Sequence, residues 1–177
     1  MERDEFGPTG VVVIEGEKAT LIFRRHLAHP PEVVWKALTD PSELSKWYIT
    51  KAVIDGKEGG TIDFVAGPSR MHVTGRILTW KPSLVFEHEW KVDARPELPS
   101  GENAIVRWEL RRDGEGTIVH LEHCKLSRDT ALGFAPGTHA FLDRLAAQLD
   151  NLALPNWQER YQQVANQYPP SWTSRRS

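Results

Sequence analysis

The chain has 177 residues, 40 % of them hydrophobic, with 22 Lys and Arg against 24 Asp and Glu and a formal charge of −2 at neutral pH. Chains of this size bury roughly 70 % of their unfolded surface around one core, so a second full domain has no room. The charge balance excludes the basic footprint of a nucleic-acid binder, no apolar run approaches the roughly 18 residues of a bilayer span, and MERDEFGPTG is not ordered like a secretion signal. A cytoplasmic location follows as an expectation, with no membrane or nucleic-acid partner, and the lone Cys124 can form no internal disulfide. Seven tryptophans must be buried, line a cavity or meet a partner.

Residues 1–10, with charges, glycines and a proline, read as a loosely held lead-in, and Val11 to Ile14 as an edge strand. From Ala19 to Ala28, Leu21, Phe23, Arg25 and Leu27 alternate with Ile22, Arg24 and His26, a period of two that predicts a strand. Pro30 and Pro31 stop it, because proline offers no N–H to a ladder, and Pro31 suits the first position of a helix. Val33, Val34, Ala37 and Leu38 share one face of that helix. Asp40-Pro41-Ser42-Glu43 then caps and restarts a second one, with Leu44, Trp47 and Tyr48 on its apolar side.

Between Thr50 and Ser127 the chain alternates strands and turns. The turns fall at Gly56 to Gly60, Gly67-Pro68-Ser69, Lys81-Pro82-Ser83, the Pro-rich Asp93 to Gly101, and Asp113 to Gly116. A long helix follows over about Pro136 to Leu152, with Leu142, Leu145, Leu149 and Leu152 spaced by three and four, Phe141 beside them, and Asp143, Arg144, Gln148 and Asp150 outside. Asn156 can cap a last helix with Glu159 in its third position and Trp157, Tyr161, Val164 and Tyr168 as its stripe, before Pro169-Pro170 and a basic tail expected to be disordered. This order predicts an α+β fold: a curved antiparallel sheet of about six or seven strands gripping the long helix, with two short helices between its first and second strands. The expected division is a lead-in over 1–18, one domain over 19–154, and an added helix and tail over 155–177.

The run Arg25 to Pro41, RHLAHPPEVVWKALTDP, with Trp47-Tyr48 resembles the opening of the heat shock protein 90 ATPase activator homologue domains of the START-like, or SRPBCC, superfamily. Gly59-Gly60 before Phe64, Gly75-Arg76-Ile77 before Pro82 and Leu84-Val85-Phe86, Leu121-Glu122-His123, and Gly137 to Leu145 continue the match in order, over about residues 19–152. The resemblance implies a helix-grip fold with a cavity between sheet and long helix that often holds a hydrophobic small molecule. His88 stands where many relatives carry an aromatic and Thr138 where many carry tryptophan, which would open or polarise the cavity.

The inward faces of the strands and helix then nominate Phe64, Met71, Val73, Phe86, His88, Trp90, Val106, Trp108, Val119, Leu121, His123, Thr138 and Leu142 as ligand-binding residues. His88 and His123 are the polar members, able to orient a hydroxyl or carbonyl. They have no inward carboxylate or nucleophile beside them, so no catalytic residue is nominated. His120, Glu122 and Cys124 share the opposite, wet face, where cross-strand charge pairs account for them and no metal is expected. The reading is a cofactor-free protein that binds a hydrophobic or aromatic small molecule. The alternatives are a co-chaperone-like ATPase activator with a chaperone partner, and a cofactor-free cyclase or hydrolase using His88 or His123. The aromatic stripe of the last helix either packs on the domain or forms a homodimer contact.

Overall fold

The computed structural model describes residues 7–169, and of Ala66 only the backbone. The first six residues and the basic tail from Pro170 onward lie outside the described residues.

Strands β1 (Val11–Glu15), β2 (Lys18–Leu27), β3 (Lys51–Ile54), β4 (Thr61–Ala66), β5 (Met71–Lys81), β6 (Val85–Val92), β7 (Glu102–Asp113) and β8 (Gly116–Ser127) form one antiparallel sheet in the order β1-β2-β8-β7-β6-β5-β4-β3. These eight exceed the six or seven expected, because the N-terminal edge segment pairs fully with β2, from Val11 opposite Ile22 to Glu15 opposite Lys18. The two short helices, α1 (Pro31–Thr39) and α2 (Pro41–Trp47), therefore stand between the second and third strands. They form from local signals: Pro31 opens α1, and the Asp40 carboxylate accepts from the Ser42 N–H at 2.9 Å to start α2. Buried Trp47 donates its indole N–H to the carbonyl of Ala37 at 2.8 Å, which fastens α2 onto α1.

The long helix, α3 (Arg128–Leu149), starts eight residues before Pro136, which lies buried inside it. Its start is held from a distance. Glu102 on β7 accepts from the Ser127 N–H at 3.0 Å and from the Thr130 hydroxyl at 2.8 Å, so the capping carboxylate is supplied by a strand rather than by the flanking sequence. At 1.5 Å per residue α3 is about 33 Å long, enough to cross the sheet, and it packs against β1, β2 and β8. It ends at Leu149, which leaves Leu152 outside the core with 63 % of its surface exposed.

α4 (Trp157–Val164) and a short turn of 3₁₀ helix (Ala165–Gln167) lie on α3. Asn156 caps α4 by accepting from the Glu159 N–H at 3.0 Å. The aromatic stripe is turned onto the same chain: the Trp157 indole donates to the Gly137 carbonyl at 3.1 Å and the Tyr161 hydroxyl to the Gly133 carbonyl at 2.9 Å. A methyl on Gly137 would stand 3.0 Å from the Trp157 ring, so glycine allows this close approach. Asp143 and Arg144 are consequently not on an outer face. Asp143 pairs with Arg25 at 2.8 Å and Arg160 at 2.7 Å, while Arg144 reaches the carbonyls of Lys46, Trp47 and Pro155. Nor is the lead-in loose at Gly10, whose N–H donates to the Tyr168 hydroxyl at 2.8 Å.

Candidate functional site

Strands alternate their side chains, so one face of β4, β6, β7 and β8 points at α2 and α3 and builds the wall of an internal chamber. Phe64, Phe86, His88, Trp90, Val106, Trp108, Leu121 and His123 come from the sheet, and Thr138 and Leu142 from α3. Ten of the thirteen nominated residues thus line a cavity of about 80 Å³. Met71 instead lines a second, outer chamber of about 320 Å³, on the scale of small-molecule sites. Val73 and Val119 are fully buried but line neither chamber, so the structure places them as core under the wall.

Tyr48, Trp90, His123, Thr138 and Phe141 line both chambers and stand where the two adjoin. Tyr48 and Phe141 were not in the nominated set. The first follows α2, and Phe141 is one residue off the leucine stripe of α3, so their positions depend on how the helices meet. Their rings lie 4.6 Å apart, and the series continues outward from Phe141 to Trp157 at 5.3 Å and to Tyr161 at 5.4 Å. The outer chamber is completed by Gly67, Pro68 and Ser69 of the turn after β4 and by Gly133, Phe134 and Gly137 of α3. Burial pushes the Tyr48 phenol up to about 12, so it stays protonated at any physiological pH.

The two histidines sit in aromatic surroundings. His88 lies 5.0 Å from the Phe86 ring and 6.4 Å from Phe64, and its Nδ1 is 2.7 Å from the backbone oxygen of Glu89. A carbonyl oxygen only accepts, so Nδ1 carries the proton and Nε2 is left with a lone pair. His123 lies 4.9 Å from Trp90 and 6.1 Å from Phe134, and its Nε2 is buried without a hydrogen-bond partner. Burial pushes His88 down to about 4, against the pull of the Glu89 carbonyl and the Glu87 charge. Burial, with repulsion from His88, pushes His123 down to about 3. Both imidazoles are neutral near pH 7.

The outer face of the sheet is different. Arg107 pairs with Glu109 at 2.6 Å and Glu87 at 3.3 Å, and His120 bonds Glu122 at 2.9 Å. These are partly exposed cross-strand and same-strand pairs, and among the described residues no group of His, Cys, Asp and Glu converges as metal ligands would.

A long helix held in a curved antiparallel sheet over an apolar interior defines a helix-grip protein of the START-like superfamily. Solved structures share the fold. CalU16 from Micromonospora echinospora is 24 % identical with a TM-score of 0.68, over 90 % of this chain and 92 % of that one. Protein MLL2253 from Mesorhizobium loti is 22 % identical with a TM-score of 0.67, over 76 % and 99 %. A conserved protein of unknown function from Enterococcus faecalis is 13 % identical with a TM-score of 0.69, over 93 % and 92 %. No curated protein matches by sequence. Residues 28–150 match the family described as Activator of Hsp90 ATPase homolog 1-like protein, and the chain belongs to that family. No helix among the described residues is long and apolar enough to cross a membrane.

Proposed function

We propose that the protein binds a hydrophobic or aromatic small molecule in the two adjoining chambers between the sheet and α3, within a START-like domain spanning about residues 19–154. The observation that carries this reading is the lining of the two chambers, aromatic and aliphatic side chains with His88 and His123 among them and no charged side chain. Burial of ligand surface against Phe64, Phe86, Trp90, Trp108 and Phe141 supplies affinity, while the imidazoles supply orientation.

A library of apolar and aromatic compounds, screened by thermal shift and confirmed by native mass spectrometry, tests the reading. Binding compounds should raise the melting temperature at one-to-one stoichiometry, and His123→Leu should weaken those that carry a polar group more than those that do not. A broad library with no binder would reject the assignment.

A further inference from the structure

The lining of the two chambers contains no Asp, Glu, Lys or Arg. A carboxylate, phosphate or ammonium entering this interior would lose its hydration with no opposite charge to replace it. The polar side-chain groups that remain are hydroxyls, indole N–H groups and two imidazoles, and one of those imidazoles has a fixed polarity. Because His88 gives its Nδ1 proton to the Glu89 carbonyl, the nitrogen left over is a lone pair without a proton. It can accept a hydrogen bond and cannot donate one. The position of His88 sets where that acceptor acts: it lines the inner chamber, whereas His123 lines both chambers where they adjoin. The outer chamber, with Phe134, Phe141, Trp157 and Tyr161, has room for flat apolar surface.

We propose that this interior selects an uncharged molecule whose hydroxyl or N–H group donates a hydrogen bond to Nε2 of His88, while its flat apolar body extends past His123 into the outer chamber. The proposal rests on the ligand-binding reading above and adds to it the charge and hydrogen-bond polarity of the ligand. A phenol-type head satisfies it. A methyl ether keeps the shape but loses the donor, and a carboxylate brings a charge the lining cannot compensate.

Four probes on one skeleton separate these terms: β-naphthol, its methyl ether, naphthalene and β-naphthoate, titrated into the full chain near neutral pH and followed by tryptophan fluorescence. β-Naphthol should bind roughly tenfold more tightly than the ether or naphthalene, the factor expected for one hydrogen bond to a buried acceptor, and β-naphthoate should bind weakest. Equal affinity for the naphthol and its ether, or tightest binding of the naphthoate, overturns the donor assignment and leaves the apolar cavity standing. Binding of none of the four overturns both. His88→Phe should erase the preference for the naphthol while keeping naphthalene binding, and a preference that survives this substitution overturns the role of His88. Should that variant not fold, the imidazole nitrogen resonances of the unsubstituted protein decide. Nδ1 of His88 should be protonated and Nε2 not, with the Nε2 signal moving on addition of β-naphthol, and a protonated Nε2 in the free protein overturns the proposal.

Discussion

At the scale of single residues, the protein keeps three imidazoles uncharged by burying them. Besides His88 and His123, His139 is fully buried on α3, where burial pushes it down to about 4 against the attraction of Asp143. Its Nδ1 lies 2.9 Å from the Tyr168 hydroxyl, which also accepts from the Gly10 N–H, and its Nε2 faces Asp143 at 3.5 Å. All three groups have folded pKa values below the ordinary 6.5, so between about pH 6.5 and 4 the unfolded chain binds protons that the folded one does not. Stability is therefore full above this window and falls as the pH drops through it, by roughly 1.4 kcal/mol per pH unit for each imidazole where the difference is complete. Urea unfolding at a series of pH values should show this slope, and His88→Phe should reduce it by about a third. For Asp143, burial alone would raise the carboxyl, but Arg160 and Arg25 hold it below its ordinary range, so its contribution is lost only at still lower pH. Tyr168→Phe removes the partner of both His139 and the Gly10 N–H, and should cost about 1 to 3 kcal/mol in the same unfolding assay.

At the scale of elements, the end of α2 is the part of the wall that is held most indirectly. Arg144 of α3 donates to the carbonyls of Trp47 at 3.0 Å, Lys46 at 2.9 Å and Pro155 at 2.5 Å. The first two are the last carbonyls of a helix, which have no partner within it, so the guanidinium acts as a cap supplied by a different helix. Pro155 stands just before the cap of α4, which makes one side chain the tie among α2, α3 and α4. Arg144→Met should destabilise the fold by about 2 kcal/mol and speed amide exchange at Tyr48 to Thr50. The check is hydrogen exchange read residue by residue. A uniform increase across the sheet would mean that Arg144 contributes to global stability alone.

At the scale of the whole molecule, the C-terminal segment is part of the structure that encloses the interior. Val164 and Tyr168 are buried, and Trp157 and Tyr161 line the outer chamber. Ending the chain after Leu154 would uncover His139 and Asp143 on α3 and remove one wall of the chamber. The loss of two buried side chains and their hydrogen bonds should exceed about 3 kcal/mol. The truncated protein should also bind β-naphthol more weakly by fluorescence titration, whereas unchanged binding would show that the ligand stops at the inner chamber.

Much of this was legible along the chain because the relevant physics is local. The double proline, the capping Asp40 and Asn156, the alternation in β6, β7 and β8, and the turn glycines act within a few residues, and they determined the order of elements, the helix-grip fold and ten residues of the inner wall. Other features depend on residues that meet only after folding. The start of α3 was hidden because its cap is Glu102, more than twenty residues earlier on β7. The outer chamber was hidden because its walls come from a turn, α3 and α4 together, and no periodicity relates those three segments. His88 and His123 could be named from the sequence as inward histidines. The tautomer of His88, the neutrality of both rings and the unpaired Nε2 of His123 were decided by tertiary structure alone, since a proton's position depends on the carbonyl it faces and the water it has lost.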